Sequence, residues 1–155
     1  MAINAGYFGN EFSFEQRYFD NVEKLVEVVE GLKRLNLKIV LTSGSYDLLH
    51  IGHARYLREA KLLGDVLIVG VESDQKVRSR KKGSLRPVVP LSERTEMLAH
   101  LRYVDIIAVK HEHDPKWNLI KKLQPNILQA VEGTYKDEEI CSSRGDCRCN
   151  DGWNS

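Results

Sequence analysis

No stretch of this 155-residue sequence approaches the roughly twenty apolar residues needed to cross a bilayer. Residues 1–10 have neither the basic start nor the apolar centre of a signal peptide, so the sequence points to the cytoplasm and to no membrane partner. Charge of one sign is missing as well: 23 Lys and Arg against 22 Asp and Glu leave a formal net charge of +1. Without a global positive field the chain is not expected to hold nucleic acid, and any anion must be gathered by a local cluster. Cysteine is absent before Cys141. Cys141, Cys147 and Cys149 lack the paired spacing or histidine partners of a zinc site, and their odd number argues against a closed disulfide framework. Internal repeats and low-complexity tracts are absent too. What remains, 42% hydrophobic and 29% charged residues, is ordinary for a soluble globular protein of one domain with a real core.

The chain is organised around residues 39–64, IVLTSGSYDLLHIGHARYLREAKLLG. An apolar strand at 39–41 runs into a small polar turn at 42–45. A helix then opens near Gly52, with His53, Tyr56, Leu57, Ala60 and Leu63 at helical spacing. His50 and His53 fall where strand gives way to helix. There the free backbone N–H groups of the first turn and the helix dipole favour phosphate, and two imidazoles add further donors. Gly44 and Gly52 let the main chain pass close to a ligand.

Upstream, Ser13 with Gln16 makes a capping box, and Tyr18, Val22, Leu25, Val29 and Leu32 recur at helical spacing, so one amphipathic helix is expected from Ser13 to the region of 31–36. Its stripe reads as core or as a subunit contact in a homodimer. Downstream, strands are expected at 66–71, 105–109 and 126–131, with helices at 93–101 and after Asp114-Pro115. This alternation implies an α/β fold: a Rossmann-like parallel sheet with helices on both faces, in a single domain with an extra N-terminal helix. The expected divisions are 1–36 for the extension, 37–140 for the domain and 141–155 for a tail. Ligands of such sheets lie beyond the carboxyl ends of the strands, where residues 43–47, 72–74 and 132–135 converge. The stretch 76–90 holds Lys76, Arg78, Arg80, Lys81, Lys82 and Arg86 without an acidic residue. It reads either as a solvated face or as a basic flap, with Gly83 as its pivot, over a polyphosphate.

Gly44-Ser45-Tyr46-Asp47 followed by His50-Ile51-Gly52-His53 resembles the signature of the cytidylyltransferase-like nucleotidyltransferases. The resemblance continues through Gly64-Asp65, Ser73-Asp74, Lys82-Gly83, Arg86-Pro87, Glu93-Arg94, Arg102-Tyr103-Val104-Asp105 and Glu132-Gly133-Thr134-Tyr135, covering about 38–140. Within the family the sequence is most similar to the adenylyltransferase domain of ADP-heptose synthase, then to glycerol-3-phosphate cytidylyltransferase.

The resemblance implies an enzyme that transfers a nucleoside monophosphate, AMP from ATP, to a sugar phosphate such as heptose 1-phosphate, with release of pyrophosphate. The alternative is CTP with glycerol 3-phosphate or a related polyol phosphate. Such chemistry needs alignment and charge stabilisation rather than a covalent intermediate. His50, His53 and Lys82 are implied as catalytic. Gly44, Ser45, Tyr46, Asp47, Gly52, Arg80, Glu132, Gly133 and Thr134 are implied at the nucleotide. Tyr46 stands where the family usually has phenylalanine. Mg²⁺ is the implied cofactor. Asp47 is open to two roles, a magnesium ligand or a cap that orients its turn. Asp74, Arg94 and Arg102 are implied at the acceptor; the two arginines, eight apart, are expected on one helical face, and Arg102 is open to an ion pair with Asp105 instead.

Family members continue with a strand and a Ser-Thr-rich turn that grips the triphosphate. This sequence reads CSSRGDCRCNDGWNS from 141 onward, without an apolar run or helical period, and is expected to be a disordered tail. A truncated, catalytically impaired nucleotide-binding domain is therefore a further reading.

Overall fold

In the computed structural model, residues 13–80 and 85–130 are described. The central strands form because residues 39–44 and 66–72 are runs of apolar, largely β-branched side chains that both faces of a sheet can bury. β1 (Tyr18–Phe19), β2 (Ile39–Gly44), β3 (Val66–Glu72), β4 (Ile106–Lys110) and β5 (Ile127–Leu128) make one sheet in the order β1-β4-β3-β2-β5. Every pairing in it is parallel. The direction of strand addition reverses at β2, with β3 on one side and β5 on the other, and this is the crevice that such sheets offer to ligands.

Period-two alternation sorts the core into two layers. Val40, Leu67, Val69, Val71 and Ile107 pack with Leu57 and Ala60 of α3 (Ile51–Leu62) and Leu98 and Ala99 of α5 (Leu91–Ala99). On the other face, Ile39, Leu41, Ile68 and Ala108 pack with Leu25 and Val29 of α2 (Val22–Arg34) and Leu119, Ile120 and Leu123 of α6 (Asn118–Leu123). Burying each such aliphatic side chain stabilises the fold by roughly 1.5–3 kcal/mol. α4 (Asp74–Arg80) follows β3 directly.

The single helix expected from Ser13 is instead two pieces separated by a strand. α1 (Phe14–Arg17) ends at once, and Tyr18 and Phe19 pair with Ile107 and Ala108 of β4. Ser13 makes no side-chain cap, whereas Asn21 Oδ1 accepts from the N–H groups of Glu23 and Lys24 at 2.8 and 3.2 Å. A true N-cap at Asn21 starts α2 afresh, and β4 gains a partner along an edge whose N–H and C=O groups would otherwise be unpaired. Tyr18 therefore leaves the helical stripe and packs against the α3–α5 layer, while Phe19 packs against the α2–α6 layer. The described part of the 1–36 extension is thus built into the same sheet as the rest.

Three other boundaries shift. α5 stops at Ala99, so Arg102 lies past its end, in the turn that leads to β4. Arg17 donates to the carbonyls of Ala99 and Val104, closing that end. Asp114 does not open a helix: its Oδ2 accepts the His111 N–H at 2.6 Å, Trp117 adopts φ 69°, and α6 begins only at Asn118. The basic stretch, read as a solvated face or a flap, begins inside α4 and is helical through Arg80. Among the described residues no helix is long and apolar enough to cross a membrane.

Candidate active site

β2 delivers the chain to the carboxyl edge of the sheet and α3 takes it away, so everything between them, residues 45–50, is held at the crevice. Tyr46 turns the chain with φ 48° and is 4% exposed. Its ring meets the His53 ring edge-on at 5.6 Å.

His50 is the N-cap of α3, and the capping is reciprocal. His50 Nδ1 accepts the Gly52 N–H at 3.1 Å, while His53 Nδ1 accepts the His50 N–H at 3.3 Å. Two imidazoles thus take the places usually held by a serine or threonine and a glutamate. Because both Nδ1 atoms accept, the neutral rings carry their proton on Nε2. The ring centroids are 4.0 Å apart. Burial, and then the neighbouring His50, hold the pKa of His53 below the ordinary imidazole value. The turn therefore presents imidazole N–H donors at the positive end of the α3 dipole, whose His50 and Gly52 amides the rings themselves already cap.

Gly52 is required by this arrangement. A Cβ there would stand 2.8 Å from His50 Cε1 and 2.9 Å from His50 Nδ1, inside the ring that caps the helix.

Asp47 is 4% exposed, and its Oδ1 accepts from the N–H groups of Val88 and Val89 at 2.7 and 2.9 Å. Among the described residues its Oδ2 has no hydrogen-bond partner, and it lies 3.8 Å from an Arg86 guanidinium nitrogen. Of the two roles open to it, this geometry fits the brace, since an ion on Oδ2 would sit against that guanidinium. The described residues contain no cluster of three His, Cys, Asp or Glu side chains placed to hold a metal. A magnesium ion here would be held chiefly by the oxygens of the triphosphate, with few protein ligands.

Arg94, expected to face the acceptor, points inward. Its side chain is fully buried: Nε donates to the Val89 carbonyl at 2.9 Å, one terminal nitrogen to the Ser45 carbonyl, the other to Asp74 Oδ1 at 2.6 Å. It clamps the turn after β2, the start of α4 and the segment before α5. Asp74 is accordingly engaged by Arg94, and Ser45 contributes its carbonyl to the clamp. Arg80, expected on phosphate, forms a two-pronged pair with Glu72 at 2.9 and 2.6 Å, because Glu72 is buried at the end of β3 and needs a counter-charge. Arg102 precedes β4 and so lies at the amino edge of the sheet, opposite the histidines. Its suggested partner Asp105 pairs instead with Lys61 at 2.5 Å. The structure thus brings together Gly44, Ser45, Tyr46, Asp47, His50, Gly52, His53, Asp74 and Arg94, and separates Arg102 from them. Lys82, Glu132, Gly133 and Thr134 lie outside the described residues.

Sequence reasoning did not find the link between Thr42 and Tyr56. Their hydroxyl oxygens are 2.8 Å apart, and the Tyr56 hydroxyl donates to the Gln129 carbonyl at 3.1 Å, tying α3 to the end of β5. A tyrosine three residues after His53 could have suggested it, since that spacing keeps both on one helical face.

A parallel sheet with a reversal at β2, and a phosphate-ready turn of two capping imidazoles after that strand, define a Rossmann-like nucleotidyltransferase. A family model described as cytidylyltransferase-like matches residues 41–146, and the chain belongs to that family. It is 41% identical over 128 residues to the "Bifunctional protein HldE" of a Nitratiruptor species, covering 83% of this chain and 27% of that protein. It is 45% identical over 124 residues to the protein of the same name from Helicobacter acinonychis (strain Sheeba), covering 79% of this chain and 25% of that protein. The chain thus spans about a quarter of the length of these curated relatives. Among solved structures, the lipopolysaccharide core biosynthesis protein from Thermoplasma volcanium GSS1 is 30% identical with a TM-score of 0.60, over 68% of this chain and 84% of that one. The pantoate-beta-alanine ligase from Francisella tularensis, 18% identical with a TM-score of 0.55 over 81% of this chain and 59% of that one, shares the fold.

Proposed function

We propose that this chain transfers AMP from ATP to a sugar phosphate such as heptose 1-phosphate, with release of pyrophosphate. The observation that carries the reading is the pair of imidazoles whose Nδ1 atoms are occupied by the turn's own amides, which leaves Nε2–H as the donor of each ring. The acceptor phosphate oxygen attacks the α-phosphorus, the bond to the bridging oxygen of pyrophosphate breaks, and the electron pair leaves on pyrophosphate. His50 and His53 donate hydrogen bonds to oxygens of the triphosphate on which charge grows in the transition state. Tyr46 buttresses His53, Asp47 and Arg94 fix the turn, and Lys82 neutralises phosphate charge. A magnesium ion, if bound through the triphosphate oxygens, would supply further charge neutralisation. The choice of AMP and a sugar phosphate is supported by the HldE relatives and by the lipopolysaccharide core biosynthesis protein.

The test is a panel of nucleoside triphosphates and phosphorylated acceptors read by pyrophosphate release. ATP with a sugar 1-phosphate is expected to react. Activity confined to CTP with glycerol 3-phosphate would overturn the adenylyl assignment and install the runner-up, and nucleotide binding without any release would install the impaired domain.

A further inference from the structure

At the carboxyl rim of the sheet stands a lysine whose neighbouring carboxylate, Glu72, is already held by an arginine. Ser43, Gly70 and Ala108 are register partners across β2, β3 and β4, so three small residues lie in one row. Residues in register share a face, and Ala108 packs in the same layer as Leu119, so the row faces α6. A Cβ on Gly70 would lie 2.9 Å from Leu119 Cδ1, 2.9 Å from Ser43 Oγ and 3.2 Å from Lys110 Cδ. Lys110 ends β4, and its stem therefore folds back across β3 over the glycine, toward β2.

Among the described residues no hydrogen bond or ion pair engages the Lys110 ammonium. Its register partner Glu72 is taken by both prongs of Arg80, and the Lys76 ammonium donates to the His111 carbonyl at 2.8 Å. Among the described residues, Glu72 and Asp114 favour the charged form of Lys110, and the cations Lys76 and Arg80 oppose it. Burial, the largest influence, pushes the Lys110 pKa below the ordinary lysine value despite Glu72. A partly desolvated ammonium without a partner costs stability in the free protein, and an anionic ligand that pairs with it recovers that cost. Position favours the acceptor as that ligand. With the nucleotide in the crevice between β2 and β5, the rim of β3 and β4 on the other side of β2 is left for the second substrate.

We propose that Lys110, whose stem lies over Gly70 beside Ser43 and Leu119, binds the phosphate group of the acceptor substrate at the carboxyl rim of the sheet. The assignment rests on the nucleotidyl-transfer reading for the existence of an acceptor, and it makes Lys110 a determinant of which acceptor is used.

The test labels the chain with an amine-acylating reagent near neutral pH and reads the modification of Lys110 by mass spectrometry. Sugar 1-phosphates or glycerol 3-phosphate are expected to protect Lys110, and ATP alone is not. In steady-state assays Lys110→Met is expected to raise KM for the acceptor about tenfold or more, the usual loss for one charge-assisted hydrogen bond. KM for the triphosphate is expected to stay as in the wild type, the melting temperature to hold or rise as the desolvation cost is removed, and Lys110→Arg to recover part of the loss. Labelling indifferent to every phosphate ester, protection by ATP alone, or unfolding of the methionine variant would each overturn the assignment. Protection is read without turnover. A wild-type chain that never releases pyrophosphate therefore sinks the nucleotidyl-transfer reading, while a chain that turns over with Lys110 unprotected sinks this one.

Discussion

His53 Nδ1 accepts the backbone N–H of His50, and the two rings stand 4.0 Å apart between centroids, so the main chain of one histidine fixes the ring of the other. Protonation of His53 at Nδ1 would break that bond and place a cation beside the positive end of α3. The pKa of His53 is depressed by burial and by His50. An unfolded chain with an ordinary histidine thus binds more protons in the window between the folded value and about 6.5, and stability must fall as pH drops through that window. We expect the melting temperature to decline from pH 7.5 toward pH 5 more steeply in the wild type than in His53→Asn. Parallel curves for the two proteins would contradict this.

Gly52→Ala separates the site from the fold. Alanine is the better helix former by roughly 0.5–1 kcal/mol, but its Cβ would lie 2.8 Å from His50 Cε1 and force the ring off its cap. The expected result is a protein that melts within a few degrees of the wild type and loses at least about tenfold in turnover, since one displaced charge-stabilising donor is worth on the order of 10²–10³ in rate. A fully active alanine variant would show that the His50 ring need not sit over residue 52.

Arg94 is expected to behave as a structural clamp. Replacing it by Met leaves the Ser45 and Val89 carbonyls and the Asp74 carboxylate without their donor. Breaking a buried pair of this kind costs about 3 kcal/mol or more. Lysine cannot restore it, because one ammonium does not reproduce the planar fork that spans three acceptors. The denaturant midpoint should fall for both variants. Unchanged stability with a raised acceptor KM would return Arg94 to the substrate.

The fold was legible where a single pattern ruled. The continuous apolar runs of β2 and β3 and the spacing of Leu57 and Ala60 on α3 left one reading each. It was not legible where two local signals competed. Ser13 and Asn21 both offer an N-cap, and only the unpaired edge of β4 decides for Asn21, a tertiary fact invisible at residues 13–21. The site divides the same way. His50, Gly52 and His53 fall within four consecutive residues, so their geometry is local and their spacing announces it. Arg94 and Arg80 read as phosphate ligands because sequence reveals charge but not counter-charge, and their partners, Asp74 and Glu72, are set by packing across separate elements. Lys110 gave no signal at all, since its isolation depends on Glu72 being already engaged.

Asp47 provides a test in which two roles predict opposite outcomes. As a brace it needs one oxygen, Oδ1, to accept from Val88 and Val89. Asparagine keeps that oxygen, so Asp47→Asn should retain stability, should keep turnover within about threefold, the cost of weakening two charge-assisted bonds to neutral ones, and should leave the magnesium requirement where it was. Asp47→Ala removes the acceptor, frees two N–H groups and should cost about 1–3 kcal/mol. As a magnesium ligand, by contrast, the carboxylate charge itself is needed, and asparagine would raise the magnesium concentration for half-maximal rate while leaving the melting curve alone. Magnesium titrations of the two variants against the wild type decide the matter, and the distance of 3.8 Å between Oδ2 and Arg86 leads us to expect the first pattern.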